Sequence, residues 1–210
     1  MTRASLRRQR GITLVELLVA ITIMTVLTTM IIAGWISLTK AYSSTSRSDK
    51  QRDSSNQAIA RMAREIRDAQ KPLGAIPAAF TYSEPYRIQF YSTFNMAGNS
   101  DPTSTPRLTQ FRLQGGTIYR DLLTAAGVVS SSSILIKDVV NEGYHPNKAL
   151  FTYSAVDAYG DTYSSSTTRT VSPATLQTVR ILLLVDLNPG KSPNYMDIST
   201  TVQPRNVRHQ

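Results

Sequence analysis

Cysteine is absent from the 210 residues, so no disulfide braces the fold and no thiolate is available to a metal. Histidine is nearly absent: His145 stands beside Pro146 in a predicted loop and His209 is next to last. A zinc site wants three or four converging ligands, and this supply is thin. No Gly-x-Ser-x-Gly elbow, Walker A loop or dinucleotide fingerprint occurs, so the chain lacks the local signatures of many hydrolases and nucleotide-binding enzymes. The expectation is a protein that is not an enzyme and carries no cofactor. Acidic residues are few as well, 14 Asp+Glu against 23 Lys+Arg, a formal charge of +9.

What is present is one long apolar run. It opens with Arg10-Gly11-Ile12-Thr13-Leu14-Val15-Glu16-Leu17-Leu18-Val19-Ala20 and continues to about Ile36. From Leu17 to Ile36 no side chain is charged, a stretch of about 20 residues, enough for a helix of roughly 30 Å to cross a bilayer's hydrocarbon core. A secretory signal would have a shorter apolar region and a small-x-small cleavage site after it, which Ser37-Leu38-Thr39-Lys40-Ala41 does not offer. A plain anchor explains the length but not Glu16, because an ionisable group in a membrane segment is costly and usually functional.

Arg10 to Glu16 resembles the processing and methylation motif of type IV prepilins and pseudopilins, which accounts for both the length and the carboxylate. The resemblance implies cleavage after Gly11 by a membrane-embedded prepilin peptidase, then N-methylation of Ile12. Phenylalanine or methionine is commoner than isoleucine at that position. It places Glu16 at the fifth mature residue, where the family's carboxylate pairs with a neighbouring subunit's N-terminal amine during assembly. Such a pairing is physically reasonable, since a charge in lipid seeks an opposite partner. The implied partners are other pilin or pseudopilin subunits, the peptidase and methyltransferase, an inner-membrane assembly platform, and membrane lipid before assembly. Removing residues 1–11, with Arg3, Arg7, Arg8 and Arg10 and no acid, lowers the formal charge from +9 to +5. The leader's basic residues imply an N-terminus kept inside the cytoplasmic membrane, with the bulk of the chain outside it in a pilus or pseudopilus. No dense Lys/Arg cluster lies beyond the leader, so nucleic acid is not expected as a partner.

Along the chain, residues 1–11 read as the leader, 12–36 as the membrane and assembly helix, 37–71 as its amphipathic continuation, and 72–210 as a β-rich extracytoplasmic domain. Trp35 and Lys40 suit the outer end of the membrane segment. Ala33-Gly34 stands where many major pilins have a helix-weakening proline, so local melting of the helix is less expected here. Ala58, Ile59, Met62, Ala63, Ile66 and Ala69 recur at helical spacing as a stripe that needs a partner surface, while Arg61, Arg64, Glu65, Arg67 and Asp68 read as the solvated face. Pro72 and Gly74 are expected to stop the helix.

Strand signals follow. Tyr86 to Tyr91 and Leu108 to Leu113 alternate with period two, and Gly115-Gly116 offers a tight turn into Thr117-Ile118-Tyr119-Arg120. Ser133 to Val140, Leu150 to Val156, Val179 to Leu187 and Ile198 to Val202 are further candidates. The serine runs 130–133 and 164–166, with Asn188-Pro189-Gly190, read as loops. The expected fold is α+β, a long N-terminal helix packed on one antiparallel sheet of five to seven strands.

Four segments resemble minor pilins of the PilW/GspJ type: the hairpin Leu108 to Arg120, then Phe151-Thr152-Tyr153 with Asp157-Ala158-Tyr159-Gly160-Asp161, and the closing Val179 to Leu183 and Thr201 to Asn206. Asp157 and Asp161 could hold calcium through oxygen ligands, although acidic turns are more often simple turn formers and the spacing is not that of an EF-hand. Tyr82, Tyr86, Tyr91, Tyr119, Tyr153, Tyr159 and Tyr163 could form an aromatic binding surface, or could be half-buried strand residues. Two alternatives to a pilus subunit remain open. One is a type II secretion or competence pseudopilin of the J type; the other is a membrane-anchored extracytoplasmic binding domain.

Overall fold

The computed structural model describes residues 13–72, 78–95, 97–99, 105–142, 148–156, 162–164, 172–189 and 194–205. The chain divides into two units, Met1–Ser46 and Arg47–Gln210, with helix α1 (Leu14–Arg67) contributing to both.

Among the described residues of the first unit the large apolar side chains are all solvent-facing, from 47% exposed at Ile36 to 80% at Leu14. This segment is long and apolar enough to cross a membrane, and none of its most apolar 18-residue window is buried. Its threonines do not conflict with lipid. Thr25 donates its hydroxyl to the Ile21 carbonyl (2.8 Å), Thr28 to Met24 (2.7 Å) and Thr39 to Trp35 (3.0 Å). Each hydroxyl is thereby satisfied one turn back along its own helix, so these threonines need no water at depth.

In the second unit the helical stripe finds its partner. Ala58, Ile59, Met62, Ala63 and Ile66 join one core cluster with residues from two antiparallel sheets. The first sheet has strand order β1 (Phe80–Glu84), β2 (Arg87–Ser92), β3 (Arg107–Gln114), β4 (Thr117–Leu123), β5 (Val129–Ile136). It contributes Ile88, Phe90, Phe111 and Ile118 to that core. The second runs β7 (Thr162–Ser164), β6 (Phe151–Val156), β8 (Leu176–Asp186), β9 (Tyr195–Val202), and adds Phe151, Val179, Ile181, Leu183 and Val185. Alternation along each strand sends these residues to one face. Burying a side chain of this size contributes about 1.5–3 kcal/mol, so the cluster is what holds the helix to the sheets.

The α+β class and the antiparallel pairing agree with the sequence reading, and four details differ. The strands form two sheets, not one. The helix ends at Arg67 rather than near residue 71, because the chain is drawn onto other elements there: the Arg205 amide takes the Arg67 carbonyl (3.1 Å) and the Gln70 amide takes the Tyr91 carbonyl (3.0 Å). Residues 130–133, read as a loop, lie in β5. Pairing with β4 overrides the poor strand preference of serine, and the hydroxyls of Ser130 and Ser132 bond across to the Leu122 carbonyl and the Asp121 carboxylate. Glu65, assigned to the solvated face, is fully buried. The Gly115-Gly116 turn is as expected: both glycines have positive φ (56° and 71°), the requirement of a type I′ hairpin, between paired Gln114 and Thr117.

Tyr153 links the two sheets. Its side chain is 1% exposed, and its hydroxyl donates to the carbonyls of Glu84 (2.7 Å) and Arg87 (3.2 Å) at the turn between β1 and β2. Burial, and after it the Glu84 charge, holds the phenol well above its ordinary value of 10.0. In the unfolded chain the phenol ionises near pH 10 while the folded one keeps its proton. The stability that depends on this group is therefore full below that pH and is lost as the pH rises above it. Denaturant titrations between pH 9 and 11 should show stability falling with a slope steeper, by up to about 1.4 kcal/mol per pH unit, than in Tyr153→Phe. Equal slopes in the two proteins would contradict this account.

Candidate functional site

Glu16 sits in the first turn of α1 and is exposed. Thr13 precedes the helix, and the two residues bond reciprocally. The Thr13 amide donates to Glu16 Oε2 (3.4 Å), and the Glu16 amide donates to Thr13 Oγ1 (3.2 Å). This is a capping box, Thr-x-x-Glu, which satisfies two amide groups that a helix start otherwise leaves without partners. The carboxylate also lies at the positive end of the helix dipole. Glu16 therefore has a role inside its own chain that the resemblance does not mention. The spacing from Thr13 to Glu16 is visible in the sequence and is the signal for it.

Around this cap the helix presents an apolar surface. Leu14, Leu17, Leu18, Ile21 and Val26 line a shallow groove together with Thr22 and Thr25. Gly34 has open space where a Cβ would stand, so another helix can approach the backbone closely at that point. In water such a surface would drive association. In lipid it costs nothing until a neighbouring helix offers better packing.

Gly11 and Ile12, the residues on either side of the expected cut, lie outside the described residues. So do Asp157, Gly160 and Asp161 of the calcium expectation, and both histidines. Among the described residues no group of three or more His, Asp or Glu side chains converges as a metal site would require.

The described tyrosines do not form one open platform. On the face of the first sheet away from the core, Arg87 lies over the Tyr82 ring (3.9 Å) and Arg112 over the Tyr119 ring (4.3 Å). Arg112 is paired with buried Asp121 (2.6 Å) and Arg87 with Glu84 (3.5 Å), so these cations are largely neutralised where they sit. Tyr153 is in the core, and Tyr86 and Tyr91 are half-buried. Tyr159 and the Tyr163 side chain lie outside the description.

The feature that sequence reasoning missed is a buried ion cluster fastening α1 to β4. Glu65 and Arg120 are both fully buried, and Arg120 Nε reaches both carboxylate oxygens (3.0 and 2.8 Å). Arg120 Nη2 donates to the Phe94 carbonyl (3.1 Å), and Arg61 Nε reaches Glu65 Oε1 (3.1 Å). Every buried side-chain polar atom among the described residues has a partner. One carboxylate held by two guanidinium groups tolerates burial because its oxygens are saturated. A signal existed: Ala58, Met62, Glu65 and Ala69 fall at three- and four-residue steps, so Glu65 belongs to the buried stripe.

Residues 6–32 match the family described as the prokaryotic N-terminal methylation motif, which places that motif on the residues carrying the resemblance and covers much less than half the chain. No curated protein sequence matches the chain. Among solved structures, a chain in the crystal structure of the GspK-GspI-GspJ complex from the enterotoxigenic Escherichia coli type 2 secretion system aligns over 74% of this chain and 98% of its own, at 15% identity and a TM-score of 0.45. That likeness is too distant to carry an argument.

Proposed function

We propose that this chain is a minor type IV pilin or pseudopilin, processed after Gly11, methylated on Ile12, and built into a filament by its N-terminal helix. The observation that carries the reading is the conjunction at the chain's start. A methylation motif over residues 6–32 runs into a helix whose large apolar side chains from Leu14 to Leu38 are exposed, with a single carboxylate at its head. A plain anchor needs the length and can use the carboxylate as a helix cap, but it has no use for a methylation motif.

The mechanism is physical. Before assembly the helix rests in the cytoplasmic membrane, with the N-terminus inside. On assembly it leaves lipid for a bundle of similar helices, exchanging lipid contacts for side-chain packing. Cleavage after Gly11 would create an amine at Ile12, and Glu16 of a neighbouring subunit supplies the charge that this amine lacks in an apolar bundle, setting the axial register. The peptidase and the assembly platform act on the chain before this step. Within the class, the PilW/GspJ type is the proposed subgroup, and the loss caused by deletion (exoprotein export, DNA uptake or surface fibres) identifies the system served.

Intact mass of the chain from sheared surface filaments and from membranes tests the reading. A chain beginning at Ile12 and one methyl group heavier is expected in both fractions. Its presence in membranes alone would favour a short or periplasmic pseudopilus. Retention of Met1 to Gly11 in cells with an active peptidase would refute the proposal and leave an anchored domain.

A further inference from the structure

A second charged feature lies in the second unit, at the C-terminal end of α1. Arg64, Arg67, Asp68, Phe94 and Arg205 wall a hollow of about 210 Å³. Arg64 and Arg67 are one turn apart on the helix, and Arg205 is brought to them by its own amide, which takes the Arg67 carbonyl (3.1 Å). Phe94 is buried, and its carbonyl is held by Arg120 (3.1 Å), so this wall is tied to the buried ion cluster.

Positive residues at a helix C-terminus are ordinarily explained by the helix dipole. That explanation covers Arg64 and Arg67 but not the arrangement. The Arg67 carbonyl is already satisfied by a backbone amide, and Asp68 is engaged by the Thr93 hydroxyl (3.0 Å). Among the described residues, none of the three guanidinium groups makes an ion pair, whereas Arg61, Arg87, Arg112 and Arg120 each do. Three cations thus face one hollow with one carboxylate among them. The volume is below the roughly 300–1,000 Å³ of pockets for drug-sized ligands, and suits a single small group.

We propose that this hollow is a binding site for one oxyanion, a carboxylate or a phosphate group, held by Arg64, Arg67 and Arg205. Guanidinium forks match the paired oxygens of both groups, and Phe94 shields one side from water, which strengthens each contact. The same chemistry can arrive as a free anion or as an acidic side chain on a partner protein. The site is independent of the filament reading and would stand if that reading failed.

The test uses the full chain in neutral detergent micelles, with the arginine Nε–H resonances followed by NMR. The probes are inorganic phosphate, a blocked glutamate-rich peptide, and the same peptide with glutamine. Saturable shifts are expected at Arg64, Arg67 and Arg205, weakening with added salt. Arg64→Gln and Arg205→Gln are each expected to weaken binding about fivefold, with the spectrum of the rest of the unit unchanged. Tighter binding of the glutamate peptide than of phosphate, with the glutamine peptide inert, would identify a partner's acidic segment as the source. Phosphate binding equally well or better would identify a free anion. No saturable shift with either anionic probe at tens of millimolar, or shifts that both variants leave unaltered, would overturn the site.

Discussion

Arg120→Ala is expected to lose about 3–5 kcal/mol of folding stability, because it strands the buried Glu65 carboxylate without its principal partner. The loss should appear as a lowered denaturant midpoint in the second unit's unfolding transition. Glu65→Ala should do comparable damage from the other side, leaving the Arg120 guanidinium buried without its carboxylate partner. Joint replacement by Glu65→Leu and Arg120→Met should recover most of the loss. That pair removes both desolvation costs and leaves apolar atoms in an apolar core. Arg61→Ala should cost less, about 1–3 kcal/mol, since its side chain is 26% exposed and Arg120 still reaches both oxygens of the buried Glu65 carboxylate. A double variant no more stable than either single one would mean that the cluster stabilises through shape and not through charge compensation.

Glu16 admits an equally sharp test, because its two roles respond differently to glutamine. Gln serves at the third helical position of a capping box as Glu does, whereas it cannot neutralise a neighbour's amine. Under the proposed assembly role, Glu16→Ala and Glu16→Gln should both leave leader cleavage intact. Both should lower incorporation into filaments by about tenfold or more, the effect of roughly 1.4 kcal/mol of lost pairing per inserted subunit. Quantitative immunoblotting of sheared filaments against total cell protein reads this out. Normal incorporation of Glu16→Gln beside a defective Glu16→Ala would assign the residue to helix capping with Thr13 and remove the charge-pairing step from the mechanism.

Local signals were the ones legible in the chain itself. The run from Leu17 to Ile36 declares a membrane-length helix because every turn repeats the same apolar chemistry. The stripe Ala58, Ile59, Met62, Ala63, Ile66 declares a buried face because helical spacing puts it on one side. Gly115-Gly116 declares its turn because only glycine adopts positive φ twice in succession without strain. The capping box is equally local, with partners three residues apart.

Where sequence reasoning fell short, the deciding partner lay far along the chain. The serine-rich stretch of β5 has no strand character by composition. It became a strand because β4 supplied a ladder, and its serines reach the Asp121 carboxylate and the Leu122 carbonyl. Strand β1 similarly exists through its pairing with β2. Glu65 looks like a surface residue until Arg120, 55 positions later, is brought against it. Its charge then becomes compatible with burial, since two guanidinium groups saturate the carboxylate. The arginine hollow depends likewise on Arg205 returning to the end of α1.

By itself, then, the sequence determined the helix, its apolar surface, the methylation motif and the α+β class, all of which rest on residues within a few positions of one another. Only the tertiary structure decided that the strands form two sheets, that Glu65 and Arg120 lock helix to strand, and that three arginines share one hollow. Pairing a charge or a strand edge with a distant partner lowers the free energy only after the chain has folded back on itself, and no local pattern records which partner that will be.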